Sequence, residues 1–438
     1  MHHPDPYLHG HGDTRYRVSH YELDLTYKVA TNRLDERAQL HVEIVEPTPR
    51  IDVDLRGLHV GKVLLDGRPT RYRRKANCVT VEVGRREPGE RFVLDLRVSG
   101  KPGPIPGAHG EAGWEELSDG SMVGSQPQGA PSWFPCNDDA ADKATYRITV
   151  TADADYHVIA NGTRTECTRV GGNNRWTYEM RRPMSPYLAT VQIGDYVEDE
   201  RSAGVPVSIV HPGGLDVGEG TSFEYQGAMV DFFSECFGPY PFAEYRAVVV
   251  EDDLEIPLEA QGLSTFGRNF VPPAWENERL VAHELAHQWF GNLVTGQHLA
   301  DIWLHEGFAC YSEWLWSDHR RHWCESETVQ EQAARHHAGL PKDLGDVTLA
   351  DPGMDAMFDD WVYKRGALTL HAVRSITGDE VFFGMLREWT RLQADSAVTT
   401  GQFIEHCRTS SGELGDQVVE TLHAWLHEPA LPDLPVLS

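Results

Sequence analysis

The hydrophobic period of this chain changes once along its length, and that change limits the folds open to it. From about residue 16 to 196, segments such as HYELDLTYKV, AQLHVEIVE, CVTVEVG, RFVLDLRVSG and ATYRITVTA alternate apolar with polar residues between Gly, Pro and Asp turns, the period-2 signature of half-buried strands. Then come a short strand (VPVSIV), a predicted helix near 221–237 and an apolar strand, YRAVVVEDD at 245–253, after which most of 275–430 carries helical periodicity. Such a chain is α+β in two domains: an N-terminal β-sheet domain at 16–196 and a mostly α-helical domain at 197–438, with a boundary near 196–200. Residues 1–15, with histidines at 2, 3, 9 and 11, are expected to be a flexible His-rich tail. The Gly/Pro-rich stretch at 100–113 is expected to be a long loop within the β domain, because strands resume beyond 144. The basic run RYRRK at 71–75 reads as a solvated strand edge.

Charge removes several function classes. With 67 acidic against 39 basic residues, the net charge of −28 repels phosphate backbones and anionic lipid, so neither nucleic acid nor a membrane surface is an expected partner. The seven cysteines are scattered, with no C-x-x-C pair, which argues against a disulfide framework and a Cys-type zinc site and fits a reducing, cytoplasmic setting. The N-terminus has no apolar core of the signal-peptide kind, and no run approaches the length of a membrane span.

The chemistry concentrates in HELAHQWFGNLVTGQHLADIWLHEGFA at 283–309. On a helix, residues four apart are offset by about 40° and about 6 Å, so His283 and His287 project from one face and can meet one ion. Ala282, Leu285, Ala286, Trp289 and Leu293 form a separate apolar stripe that anchors the helix. H-E-x-x-H alone should arise by chance in about one such His-rich chain in ten, and a Glu at one fixed later spacing lowers this below about one in a hundred. A turn region, GNLVTGQH, leads to a second helix whose Glu306 can return to the first. Two imidazoles, one carboxylate and an open position for water make the ligand set of catalytic zinc peptidases, with Glu284 beside the ion as general base.

These residues resemble the aminopeptidase N family of gluzincin metallopeptidases, which includes the leukotriene epoxide hydrolase/aminopeptidases. The family's WLNEGFA appears here as WLHEGFA, departing only at His305. The resemblance implies one zinc ion per chain held by His283, His287 and Glu306, with Glu284 as base. It also implies a saddle- or sandwich-like sheet domain followed by a thermolysin-like catalytic domain. The family's Y-E-K-G-A-like motif, whose tyrosine stabilises the oxyanion, corresponds to VYKRGA and so to Tyr363. Its exopeptidase signature G-x-M-E-N corresponds to IPLEA at 256–260, keeping Glu259 for the substrate's α-ammonium but replacing Gly, Met and Asn. A second amine contact, just before a P-C-x-D-like run, falls by register on Gln128 in SQPQGAPSWFPCNDD. The resemblance is to a short form, expected to be without the further helical domain of larger members. The implied activity is removal of N-terminal residues from peptides with a free amine. Alternatives are an endopeptidase or epoxide hydrolase on the same scaffold, or an inactive binding protein.

Overall fold

The structure, a computed structural model, describes residues 5–435 and divides into two compact units. The first contains the segment ending at Asp199 together with Ser208–Leu215 and Phe242–Asn269; the second contains Glu200–Val207, Asp216–Pro241 and the chain from Phe270 onward. A single cut near 196–200 therefore does not describe the grouping. The strands Val207–Pro212, Tyr245–Val250 and Leu263–Gly267 bring Val210, Val248 and Leu263 into one buried cluster with Ile159 and Tyr196, and apolar burial of this kind assigns them to the first unit.

The first unit is built on an eight-stranded mixed sheet. Its centre is Tyr16–Lys28, antiparallel to Arg33–Ile44 and parallel to Ala144–Asp153. The alternation seen in the sequence is realised in the second of these strands, where Leu34, Ala38, Leu40 and Val42 are buried between exposed or half-exposed neighbours. Glu36 falls on the same buried face. RYRRK contributes the short strand Tyr72–Arg74, at the edge of a three-stranded sheet.

Two expectations fail here. The stretch at 100–113 is not a plain loop, since Ile105–Gly107 and Gly110–Glu116 pair antiparallel; a three-residue strand is too short to show a period. The N-terminal segment is not a loose tail over the described residues. His11 Nδ1 lies 2.6 Å from Asp138 Oδ2, Asp13 donates its N–H to Asn137 Oδ1 at 2.7 Å, and Gly12 donates to Asp54 Oδ2 at 3.1 Å. Three side chains of the β domain thus hold residues 11–13, each through a specific polar contact. His2 and His3 lie outside the described residues.

The second unit is helical: α1 (Gln226–Phe237), α2 (Trp275–Ala286), α3 (Trp303–His319), α4 (Val329–Gly339), α5 (Asp360–Leu392), α6 (Thr400–Ser410) and α7 (Gly415–His427). Within α5, Gly378 has φ +74 and joins two helices across a kink. Among the described residues, no helix is long and apolar enough to cross a membrane.

Candidate metal centre

Helix α2 ends one residue before His287, which serves as its C-cap with its N–H on the His283 carbonyl. Trp289 and Leu293 are therefore outside the helix, yet both are buried and anchor the turn that follows. This turn leads to α3, where Glu306 sits in the first turn. A carboxylate there is favoured by the helix's positive end.

The two helices bring His283, His287 and Glu306 together, all buried, with one ligand atom from each lying within 4.8 Å of the others. Glu306 Oε2 is 3.2 Å from His283 Nε2 and 3.5 Å from His287 Nε2, and the two imidazoles are inclined at 75°. Each ring is fixed from behind. The Phe290 carbonyl accepts from His287 Nδ1 at 3.0 Å, so that nitrogen carries the hydrogen and Nε2 presents its lone pair. Glu313 Oε1 lies 2.8 Å from His283 Nδ1. This donor set, two imidazole nitrogens and one carboxylate with outer hydrogen-bond partners, fits a catalytic zinc ion.

Electrostatics agree with a site built for a cation. Burial disfavours charge on Glu306, but the two imidazoles outweigh it and hold the carboxyl far below the usual range. Burial also penalises protonated His283, yet Glu306 and Glu313 raise its pKa to about 9. Glu313 itself, opposed by burial but paired with Lys364, His283 and Arg279, is drawn down to about 2. In the absence of a metal, a proton on His283 stands where a divalent cation would neutralise the carboxylates.

Glu284 is buried beside the two imidazoles on α2. Tyr363, in the first turn of α5, lays its ring against His283 at 5.9 Å between centroids and 24° between planes. In the first unit, Glu259 lies on the short strand Leu258–Ala260. Its Oε1 accepts from the Gln126 amide at 2.7 Å. Gln128 instead directs its amide to the Pro106 carbonyl at 3.5 Å. Two residues of these constellations were missed in the sequence. Glu313 follows Glu306 by seven positions, two turns along one helix face, which is a readable signal; Gln126 had none beyond its closeness to Gln128.

The chain matches the Peptidase family M1 domain over residues 221–425 and the Peptidase M1 N-terminal domain over 120–188. It is similar to the solved M1 zinc metallopeptidase of Deinococcus radiodurans, at 30% identity and TM-score 0.88, with 99% of each chain covered. This chain belongs to peptidase family M1. A mutant M1 zinc metallopeptidase from the same organism, solved with a Tyr-Ser-Ala substrate, aligns with TM-score 0.89 at 30% identity over 99% of both chains. Among curated M1-type relatives, Aminopeptidase M1 of Arabidopsis thaliana is 30% identical over 70% of this chain and 36% of its own length. Leucyl aminopeptidase of Saccharolobus solfataricus is 25% identical over 95% of this chain and 54% of its own. The chain thus spans between about a third and about half of the length of these curated relatives. The two-domain plan of a β-sheet domain and a helical catalytic domain is that of the M1 zinc metallopeptidase structures.

Proposed function

We propose that this M1 member is a zinc aminopeptidase that cleaves the first peptide bond of substrates bearing a free N-terminus, using one ion per chain. The observation that carries the reading is the convergence of His283 Nε2, His287 Nε2 and Glu306 Oε2 in a chain that aligns with M1 zinc metallopeptidases over 99% of its length.

His283, His287 and Glu306 hold the ion. Bound there, zinc would supply a more acidic water, with a pKa towards about 7, and polarisation of the carbonyl to be attacked. Glu284 accepts the proton released by the attacking water and passes it to the departing amine, so one carboxylate serves as base and then acid. The Tyr363 hydroxyl donates to the carbonyl oxygen as negative charge develops there, a contact worth more in the transition state than in the ground state. Glu259 receives the substrate's α-ammonium, with Gln126 orienting the carboxylate and Gln128 as a second polar contact; an anion opposite an ammonium sets the register from the free end. Ala260 in place of the signature's Asn leaves this edge with one polar side chain fewer, and Ile256 in place of its Gly stiffens the backbone.

The seven thiols are all free, which supports a reducing, cytoplasmic location. The negative net charge supports peptides, not nucleic acid or membranes, as partners.

A mixed peptide library read by mass spectrometry tests the reading. Zinc-loaded protein should shorten free peptides one residue at a time and spare N-blocked copies, and Glu284→Gln should abolish the trimming. Internal cuts, or equal hydrolysis of blocked peptides, would replace it with an endopeptidase.

A further inference from the structure

His283 is held from both sides by carboxylates of one helix. Glu306 and Glu313 stand two turns apart on α3 and so share a face. Glu306 approaches Nε2 at 3.2 Å and Glu313 approaches Nδ1 at 2.8 Å. The second oxygen of Glu313 is occupied as well, accepting from Arg279 Nη1 at 3.1 Å. Arg279 lies one turn before His283 on α2, so guanidinium, carboxylate and imidazole form a closed chain between two helices. Glu313 is only 3% exposed.

We infer that Glu313, braced by Arg279, is the positioning residue that fixes the tautomer and orientation of His283 as a metal ligand, an inference that rests on the zinc reading above. An ionised carboxylate only accepts, so Nδ1 keeps its hydrogen on Glu313, and Nε2 is the nitrogen that gives up its proton to Glu306's side of the site and offers its lone pair when a metal binds. An anionic partner also makes the ligating nitrogen more basic than a neutral one does. The two imidazoles are therefore unequal. His287 leans on the Phe290 carbonyl, whereas His283 leans on a charge, and removing that charge should weaken the metal more than it weakens the fold.

The experiment is a zinc titration of stripped protein against a chromogenic chelator, with melting curves of each variant in excess chelator. Wild type should bind one equivalent. Glu313→Ala should weaken zinc about 10–100-fold, and Glu313→Gln, which keeps an acceptor, should recover part of the loss. Arg279→Met should weaken zinc less, and should have no further effect in the Glu313→Ala background. KM for a peptide at saturating zinc should stay at the wild-type value, because neither side chain is assigned to substrate. Zinc affinity unchanged in folded Glu313→Ala, or additive losses in the double variant, overturns the inference alone. A wild type without stoichiometric zinc overturns the zinc reading and this inference together. Should Glu313→Ala melt early in chelator, the affinities of Glu313→Gln and Arg279→Met decide.

Discussion

Gly307 of α3 and Gly366 of α5 meet backbone to backbone, so that a Cβ on Gly307 would stand 2.8 Å from the Gly366 Cα and one on Gly366 would stand 2.7 Å from the Gly307 Cα. Each glycine belongs to a motif that carries chemistry, WLHEGFA and VYKRGA. Their contact brings the helix bearing Glu306 against the helix bearing Tyr363, and leaves no room for a methyl group in backbone that cannot yield.

Gly366→Ala should therefore separate α3 from α5. The overpacking costs about 1–3 kcal/mol, measured as a lower denaturation midpoint with an unchanged slope. Activity should fall by more than the folded fraction does, because Tyr363 lies one turn away and rests on His283. A variant as stable and active as the parent would show that the helices slide freely.

Arg365, one residue earlier, is 1% exposed. It donates to the carbonyls of Trp425 at 2.9 Å and Pro429 at 3.0 Å, and also to those of Ala424, Glu428 and Ala430. One guanidinium thus bonds two carbonyls of the last turn of α7 and three of the residues just beyond it. Arg365→Met takes this donor from all five, of which the Trp425 carbonyl is buried and the Pro429 carbonyl keeps the Leu344 N–H at 3.1 Å, and should cost about 1–3 kcal/mol. Limited proteolysis should then cut first near residues 424–430, and protection there equal to wild type would contradict the clamp.

Glu36 lies on the buried face of the large sheet, with both carboxylate oxygens lacking a hydrogen-bond partner. Burial raises its pKa well above the ordinary value of 4.5. The sign follows from a folded pKa above the unfolded one. Its favourable contribution is complete below about pH 4.5 and is lost progressively as pH rises towards the folded value. Glu36→Gln should accordingly match or trail wild type near pH 4 and gain on it at pH 7, in paired urea melts. A stability difference independent of pH would show that the carboxyl is not neutral in the fold.

With the proposed ligand set, zinc and a proton compete for His283. Its metal-free pKa of about 9 means that, between the unfolded value of 6.5 and 9, each unit of falling pH should weaken apparent affinity about tenfold through this group. In chelator, the same raised pKa gives a stability contribution that is complete below 6.5 and is lost as pH rises through 9. Zinc-loaded protein should lack that alkaline loss. Affinities measured by chelator competition at pH 6.5, 7.5 and 8.5 check the slope; a flat line would mean that no proton is displaced.

Gln126→Ala removes the amide that donates to Glu259 Oε1 at 2.7 Å. KM for a free peptide should rise several-fold with kcat less affected, since orientation of an anion facing the ammonium contributes mainly to ground-state binding. Gln128→Ala should raise KM less, because that amide is directed to the Pro106 carbonyl. The reverse order would make Gln128 the principal amide at the ammonium site.

Local period made part of this protein legible without a structure. Alternation predicts the strands because Cβ atoms point to opposite faces at every step, and four-residue spacing predicts that His283 and His287 share a face because a helix repeats every 3.6 residues. Glu306 was within reach of the same reasoning, being one turn region away. Tertiary structure alone decided the rest. The Gln126 amide finds Glu259 across 133 residues, Arg365 finds carbonyls about 60 residues on, and residues 11–13 find Asp54 and Asn137. Contacts of that separation depend on how loops close and which faces pack, and neither quantity is periodic along the chain.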